Sequence, residues 1–526
     1  MQHHASQTMF VRKLPLPTYP LSRWLEICSL LGLVIGVVMR LGLYFSNRSL
    51  WFDEAALVLN LMERGYIDLL NALTYNQAAP PLFLWIEKFA LETWGNSEYA
   101  LRLFPLLGGL LSLIACYRFT QSFTQGWARP ITMMLLGTLE YLVYFAAEIK
   151  PYSWDMALGL LLFMTVASLN TLRPRLSQLL TAGSLGIVGI WLSYPSIFII
   201  AGVEAANLVK LSLWKSSWSE LRAFLLRRLP LYAGWIASFS GLYFRIIRNT
   251  LAETSLAENW AERYPSGWYD LLWLVDSFGR FFHRPLGFVA ITDAVAMVAF
   301  VTGCIHLYRT NRLRLIYLSG PFAVTLCAAY LHQYPFRDRL ILFLVPFGLA
   351  ILADGIVFWL RQWHKRPQAL KMISAVVAVG LLVMPLGQAL NNFIRPTRLH
   401  FDHVRPAIAY IDNHWQPGNK LHVFTSADLQ FHYYFSRFDL PMADTMMNQL
   451  SDVELNDLEA GNLEQYQQAL TALKADQLDR KRIWIVLAAR KHPDSEAAII
   501  QWLKQLGKPL ETVKYPDVRV RLYDFS

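Results

Sequence analysis

Long apolar blocks alternate with short polar segments along the chain up to about residue 390. A helix that crosses the hydrocarbon core of a membrane needs roughly 20 mostly apolar residues, and by this criterion the pattern predicts about eleven crossings. The predicted crossings are residues 24–45, 101–119, 130–147, 153–171, 177–193, 195–212, 229–247, 286–308, 315–331, 340–361 and 369–390. The pattern therefore indicates an α-helical polytopic membrane protein.

Composition and charge agree with this class. Of 526 residues, 55% are hydrophobic and only 16% are charged, whereas soluble domains carry about 25% charged residues. The net charge is +10, and the basic residues fall mostly in short loops between apolar blocks. With residues 1–23 as a cytoplasmic N-terminus, nearly every basic cluster lies inside, as the positive-inside rule requires. Membrane orientation thus explains the positive charge, and no nucleic-acid partner is expected.

The same topology places several polar segments on the outer side of the membrane. They are the first outer loop, residues 46–100, and then residues 148–152, 248–285, 332–339 and the tail from 391. Within the first outer loop, residues 54–70 and 80–94 are predicted as interfacial helices, because both are apolar but too short or too charged to cross. Glu63, Arg64 and Asp68 are expected on the wet side of the earlier one.

Beyond residue 391 the pattern changes to short apolar strands that alternate with helical stretches. KLHVFTS at 420–426 and RIWIVLAAR at 482–490 have the pattern of strands, and such alternation predicts a small soluble α/β domain. The acidic, Gln-rich stretch 452–479 is expected to be a solvated helix. The predicted organisation is a cytoplasmic N-terminus (1–23), a transmembrane catalytic domain (24–390) and a periplasmic α/β domain (391–526).

Two adjacent carboxylates, Asp53 and Glu54, stand out in the first outer loop. One interpretation is capping, with Asp53 as the N-cap of the following helix and Glu54 near its positive end. The other is catalysis, with Asp53 as the general base that takes a proton from an acceptor hydroxyl or amine while a sugar carbon is attacked. Glu54 would then hold Asp53 or the acceptor. Spacing alone leaves both interpretations open.

Three segments carry a resemblance to a known family. Ser49-Leu-Trp-Phe-Asp-Glu-Ala, Asn76-Gln-Ala-Ala-Pro-Pro-Leu-Phe and Ser97-Glu-Tyr-Ala-Leu-Arg-Leu resemble the N-terminal signature of GT-C fold glycosyltransferases. The chain is similar, more narrowly, to the bacterial protein O-mannosyltransferases and lipid A aminoarabinose transferases, a glycosyltransferase family 39-like group. The resemblance spans residues 24–390. It implies that a sugar leaves a polyprenyl phosphate on the outer side of the membrane and that Asp53 is the acidic residue needed for transfer.

A second polar segment, Glu148-Ile-Lys-Pro-Tyr-Ser-Trp-Asp, resembles another motif of this family at the outer end of a membrane helix. Glu148, Lys150 and Tyr152 match its acidic, basic and aromatic positions. Together they suit a sugar hydroxyl, a phosphate oxygen and a sugar ring face. The alternative is that they anchor the helix at the bilayer boundary, where Tyr, Trp and Lys are common.

A third segment, His332-Gln-Tyr-Pro-Phe-Arg-Asp-Arg, places two arginines outside, against the positive-inside rule. Arg337 and Arg339 are candidates for neutralising the phosphate that leaves with the carrier, because guanidinium donors match phosphate oxygens in pairs. The alternative is that Arg337 pairs with Asp338 and reaches toward lipid head groups.

Two further residues are candidates for binding substrate. Arg40 lies in the outer half of the first crossing, so it should face the protein interior, as partner of a loop carboxylate or as a phosphate contact. Gln77, with Pro80-Pro81, either shapes a loop that closes the active site or belongs to a plain turn. No metal-ligand spacing and no glycine-rich phosphate loop occurs. We therefore expect no required cofactor, and the sequence leaves the binding of a divalent metal ion undecided.

The sequence as a whole predicts an inverting glycosyltransferase, a hexosyl- or pentosyltransferase. Its expected donor is a polyprenyl-phosphate sugar, and its expected acceptor is a lipid, a glycan or a protein. The expected location is a bacterial inner membrane, where the protein contacts membrane lipids and transfer takes place at the outer face. The alternative is a transporter or flippase of a lipid-linked sugar, in which the same outer acids and arginines bind cargo. Transporters often contain related halves, and no internal repeat is evident here.

Overall fold

The structure is a computed structural model. It describes residues 23–169, 174–213, 217–251, 260, 263–289, 291–361, 368–396, 402–423, 427–435, 437–438, 440, 445–447, 482–488, 500–501, 503–505 and 507–525. The expected cytoplasmic segment up to residue 22 and the expected helix at 452–479 lie outside this set.

Most of the described chain is helical. The helices are α1 Arg23–Phe45, α2 Phe52–Glu63, α3 Pro81–Trp94, α4 Glu98–Phe123, α5 Ala128–Thr138, α6 Glu140–Tyr144, α7 Tyr152–Ser168, α8 Leu176–Leu192, α9 Ser196–Leu213, α10 Trp218–Leu242, α11 Arg248–Leu251, α12 Leu271–His283, α13 Ile291–Thr310, α14 Arg312–Tyr330, α15 Val345–Arg361, α16 Gln368–Ile394, α17 Val404–Asn413 and α18 Asp428–Phe435. Short 3₁₀ turns lie at Asp68–Leu70, Phe145–Ala147 and Asp338–Leu344, and a π-helical turn lies at Tyr243–Ile247.

Several helices are long and apolar enough to cross a membrane. Among the described residues six meet this criterion, namely α1, α4, α9, α13, α14 and the segment Asp338–Arg361 that ends in α15. A seventh results if α5 and the following Glu140–Ala147, which bend by 61°, form one broken span. The chain is thus a multi-pass membrane protein by helix length and composition. The predicted count of about eleven is not confirmed, because α7, α8 and the apolar end of α16 are shorter.

Glycines allow helices α13 and α15 to touch through their backbones. A Cβ atom at Gly355 would overlap the carbonyl oxygen of Ala299, and a Cβ atom at Gly303 would overlap that of Ile351. Small residues at such crossings are typical of membrane helices, which associate through close packing rather than through the hydrophobic effect. This contact joins two helices that are separated in the chain by α14.

The first outer loop differs from the prediction in its first helix. The expected interfacial helix at 54–70 ends at Glu63, and a 3₁₀ turn follows at Asp68–Leu70. Residues 54–61 are buried around the whole circumference of α2, and only its end, with Glu63, is exposed. Burial of residues 54–61 on all sides differs from the expected amphipathic helix, whereas Glu63 and Asp68, which were expected on the wet side, are exposed. The second predicted helix is present as α3.

The C-terminal part of the chain contains a five-stranded sheet. Its strands are β1 Lys420–Val423, β2 Thr445–Met447, β3 Arg482–Ala488, β4 Lys508–Tyr515 and β5 Val518–Asp524. Their order is β2-β1-β3-β5-β4, with β1 parallel to β2 and β3, and β5 antiparallel to β3 and β4. Helices α17 and α18 belong to the same part of the chain. The buried core of the sheet contains Ile483, Ile485, Leu487, Leu503 and Tyr523.

The chain divides into two compact units. Unit 1 contains residues 1–45, 66–72 and 78–394, and unit 2 contains residues 46–65, 73–77 and 395–526. Part of the first outer loop therefore belongs to the same unit as the C-terminal sheet, although more than 300 residues separate them in the sequence. No local pattern in the sequence indicates this association.

A buried histidine on β1 predicts acid sensitivity of the sheet. Burial lowers the pKa of His422 from 6.5 to about 4. Between these pH values the unfolded chain binds a proton that the folded chain does not, so stability is lost as the pH falls from about 6.5 to about 4. The loss at pH 4 is about 3 kcal/mol. In His422→Leu, we expect the protection factors of the β1 and β3 amides, which are corrected for the intrinsic pH dependence of exchange, to change far less between pH 7 and pH 4.5 than in the wild type. Equal acid sensitivity in both proteins would contradict this account.

Candidate functional site

The two predicted carboxylates, Asp53 and Glu54, lie in the first turn of helix α2, but their side chains have different partners. The N-cap is Trp51, not Asp53 as the capping interpretation expected. The carboxylate that reaches back to the cap is that of Glu54, whose Oε2 accepts from the Trp51 amide at 3.3 Å and lies 3.5 Å from Arg48 Nη1. Glu54 and Arg48 are both buried. Glu54 is therefore an ion-paired residue that holds the start of the helix.

Asp53, in the same first turn of α2, occupies a different environment. Its side chain is half-buried, and its Oδ1 accepts from Gln77 Nε2 at 3.3 Å. The same amide nitrogen also donates to the carbonyl oxygen of Tyr75 at 3.1 Å. The structure thus brings together two residues that the sequence predicted for the site. A carboxylate oriented by an amide can accept a proton from a bound group.

A buried asparagine sets the position of Gln77. Asn60, in the last turn of α2, donates from Nδ2 to the carbonyl of Thr74 at 3.2 Å, and its Oδ1 accepts from the Thr74 amide and hydroxyl, each at 2.9 Å. This pairing holds Thr74 against the last turn of α2, and three residues later Gln77 contacts Asp53. The sequence analysis missed Asn60, since a polar residue within the apolar run LVLNLM was its only signal.

The backbone between Thr74 and Gln77 is strained. Tyr75 and Asn76 have φ angles of 60° and 53°, in the left-handed region that costs non-glycine residues about 1–2 kcal/mol each. Such conformations persist only where the surroundings hold them, and they cluster at functional sites. The turn presents Gln77 to Asp53, and its role in closing the active site stays a prediction.

The second predicted segment lies at the start of α7 in unit 1. Glu148, Lys150 and Tyr152 are 0%, 4% and 7% exposed, so they face protein and not lipid, which argues against bilayer anchors. The guanidinium carbon of Arg339 lies 5.9 Å from the ring centroid of Tyr152, a cation-π distance. Two more predicted residues are thus brought together. The Arg339 guanidinium therefore lies over the ring of Tyr152, which follows Lys150 by two residues.

The two arginines of the third segment have different partners. Arg337 Nη2 lies 2.9 Å from Asp276 Oδ2 on α12, and Asp276 also pairs with Arg280 at 2.7 Å. The expected pairing of Arg337 with Asp338 is replaced by this contact across the fold. Asp276 belongs to the outer segment 248–285, from which the sequence analysis took no site residue. Arg337 is therefore held by a carboxylate, whereas Arg339 lies on Tyr152.

Arg40 is buried in α1 and bonds to backbone. Its Nη1 donates to the Gly36 carbonyl at 3.1 Å and its Nη2 to the Leu136 carbonyl at 3.3 Å. These bonds tie α1 to α5. Within the described residues neither a carboxylate nor another predicted site residue is among its hydrogen-bond partners, so a substrate contact by Arg40 stays a prediction.

Two residues beside Tyr152 were missed. Asp155 is buried one helical turn beyond Tyr152 on α7, and the spacing of three residues was the signal that could have found it. Tyr334 donates to the Leu340 carbonyl at 2.7 Å. Burial raises the pKa of the Tyr334 phenol above its ordinary value, and the nearby Asp155 and Tyr152 add to the shift. Tyr334 is thus a neutral hydroxyl near this group.

The described residues contain no cluster of three or more His, Cys, Asp or Glu side chains that is arranged to hold a metal ion.

Comparisons with known proteins identify the fold. No protein-family model and no curated protein matches the chain. Among solved structures, ArnT from Cupriavidus metallidurans bound to undecaprenyl phosphate matches with a TM-score of 0.50 and 15% identity, covering 96% of this chain and 98% of that one. The apo form of ArnT matches with a TM-score of 0.50 and 14% identity over the same shares. The oligosaccharyltransferase of Archaeoglobus fulgidus matches at a TM-score of 0.46 and 12% identity, covering 79% of this chain and 62% of that one.

ArnT, a lipid A aminoarabinose transferase, and the archaeal oligosaccharyltransferase are both GT-C fold glycosyltransferases. The match to ArnT extends over nearly the whole of both chains, so it includes the membrane helices and the C-terminal part. At this identity the likeness concerns the fold and leaves the reaction open. This chain therefore has the GT-C fold, as the sequence resemblance predicted.

Proposed function

We propose that this protein is an inverting glycosyltransferase that moves one sugar from a polyprenyl-phosphate carrier to an acceptor. The observation that carries the proposal is the difference between the adjacent carboxylates. Glu54 is buried and paired with Arg48, whereas Asp53 is half-buried and oriented by Gln77. A helix cap needs only Glu54, so capping does not account for Asp53 and its amide partner. Asp53 is the proposed general base.

A direct displacement also needs a stabilised leaving group. Polyprenyl phosphate leaves with negative charge on its phosphate oxygens, and fixed cations at that position lower the barrier. Lys150 and Arg339 are the proposed phosphate ligands, with Tyr152 orienting the Arg339 guanidinium. Glu148 is proposed to bind a sugar hydroxyl. Arg337 is a weaker candidate, because its ion pair with Asp276 would have to open first.

The structural neighbours support the type of donor. ArnT was solved with undecaprenyl phosphate bound, which is the product that a polyprenyl-phosphate sugar leaves behind. By extension, we propose a hexosyl- or pentosyltransferase in a bacterial inner membrane, with the first outer loop and the C-terminal α/β domain on the periplasmic side. The acceptor is a lipid, a glycan or a protein.

A vesicle experiment separates this proposal from the alternative, a transporter or flippase. The purified protein is reconstituted in proteoliposomes with a radiolabelled polyprenyl-phosphate sugar, and cell-envelope extract is added as the source of acceptor. An enzyme transfers label from the lipid to another molecule in the extract and leaves polyprenyl phosphate. A transporter moves the intact lipid-linked sugar between leaflets and leaves its phosphate bond unbroken. Intact donor at all times, with label moving between leaflets, would contradict the proposal.

A further inference from the structure

The segment that leads into Asp53 is bonded to the C-terminal part of the chain, within unit 2. Ser49 Oγ and His403 Nδ1 lie 2.8 Å apart, and Ser49 Oγ also accepts from the Arg405 amide at 3.2 Å. The Arg405 side chain donates from Nη2 to the carbonyl of Asn47 at 2.6 Å. His403 and Arg405 lie at the start of α17. Asn47 and Ser49 of the loop are thus both held by one helix terminus.

A second C-terminal helix, α18, also contacts the loop that precedes Asp53. The hydroxyl of Tyr434 on α18 accepts from the amide of Leu50 at 2.8 Å. Both residues are fully buried, with exposures of 0%. A buried amide that loses its acceptor carries the full cost of desolvation, so this bond strongly favours one position of the loop. Leu50 precedes Asp53 by three residues, with the N-cap between them.

The two C-terminal helices are themselves tied to other parts of unit 2. The amide of His403 donates to the carbonyl of Pro516 in the β4–β5 turn at 3.1 Å. Tyr410, further along α17, donates its hydroxyl to Glu511 on β4. A continuous path of hydrogen bonds therefore runs from the sheet through α17 to Ser49. The path ends at the turn that begins α2 and carries Asp53.

We infer that His403, Arg405 and Tyr434 are positioning residues for the proposed reaction and that they hold residues 47–50 so that Asp53 is placed for proton transfer. The C-terminal domain then belongs to the catalytic apparatus. It acts through the loop and not through contact with the reacting atoms. This inference rests on the role proposed for Asp53. Enzymes lose rate when a base moves by about 1 Å, even where the responsible change lies outside the chemistry.

The test uses the full-length protein and the variant Tyr434→Phe, which removes only the hydroxyl that accepts from Leu50. The expected result is faster hydrogen exchange in peptides that cover residues 46–62. We also expect kcat to fall about tenfold, with the KM for a polyprenyl-phosphate sugar nearly unchanged, because one buried hydrogen bond is lost and substrate contacts are not. Ser49→Ala removes the contact from the loop side and is expected to have the same effects.

The matched control is Tyr410→Phe, which removes a phenol hydroxyl bonded within the sheet and helix α17. It is expected to leave loop exchange and kcat unchanged, because the link from the β4–β5 turn to Ser49 runs through Pro516 and His403 and does not include the Tyr410–Glu511 bond. If Tyr434→Phe and Ser49→Ala behave like this control, the positioning role is overturned. Because exchange is measured without substrate, that outcome is distinct from failure of the proposed function. The latter would show as an active Asp53→Asn variant, whatever the exchange of the loop.

Discussion

Replacing Asp53 with asparagine is expected to lower kcat for sugar transfer by about a thousandfold, within the range that general bases contribute. Asparagine has nearly the same size as aspartate, and its oxygen can still accept from Gln77, so the loop should keep its position. It cannot take the proton of the attacking hydroxyl or amine. The measurement is single-turnover transfer from a polyprenyl-phosphate sugar, with donor binding measured separately to show that the KM is little changed.

The control for this substitution lies on the same helix. Glu63→Gln removes an exposed carboxylate at the far end of α2 and should leave the rate as in the wild type. Glu54→Gln is not a suitable control, since it would leave Arg48 buried beside a neutral partner and destabilise the fold. An Asp53→Asn variant that keeps a tenth or more of the wild-type rate would show that the base is another residue.

The second large effect is expected for Arg339, which the structure separates from its neighbour Arg337. Arg339→Ala should lower kcat/KM by about a hundredfold, because a cation that stabilises the leaving phosphate contributes this much when preorganised. The reason for choosing Arg339 is its place on the Tyr152 ring. The measurement is a comparison of initial transfer rates over a range of donor concentrations.

Arg337→Ala serves as the matched variant, since it removes an equal charge two residues away. Arg337 is paired with Asp276, and Asp276 keeps Arg280 as a partner after the change. Loss of this partly exposed ion pair costs about 0–1 kcal/mol of folding stability. Because Arg337 is held by Asp276, the rate should fall much less than in Arg339→Ala. The assignment would be reversed if Arg337→Ala were the more damaging of the two.

Much of the membrane fold follows from the sequence, because its signals are local. Apolar length predicts helices such as α1, α4 and α13, and the polar segments between them contain the candidate site. The adjacent acids, Gln77 and Tyr152 are recognisable for the same reason. Each lies in a short stretch whose residue types are unusual for its surroundings, and the family resemblance rests on those stretches.

Other features depend on contacts between distant residues, which residue spacing does not show. One interpretation of the sequence paired Arg337 with Asp338, but its partner is Asp276, 61 residues away. It predicted an amphipathic helix after Asp53, but residues 54–61 of α2 are buried on all sides. It assigned no role to His403 or Tyr434, whose contacts with the loop span more than 350 residues. In each case tertiary packing decides what a polar residue does.

The stereochemistry and stoichiometry of one reaction test the central claim most directly. The acceptor is first identified by comparing lipid and glycan extracts of cells that contain and lack the protein. The purified enzyme is then given that acceptor and a polyprenyl-phosphate sugar of known anomeric configuration. The account predicts one polyprenyl phosphate released for each sugar transferred, and a product with the inverted configuration by NMR. Retention of configuration, or recovery of the donor with its phosphate bond intact, would contradict it.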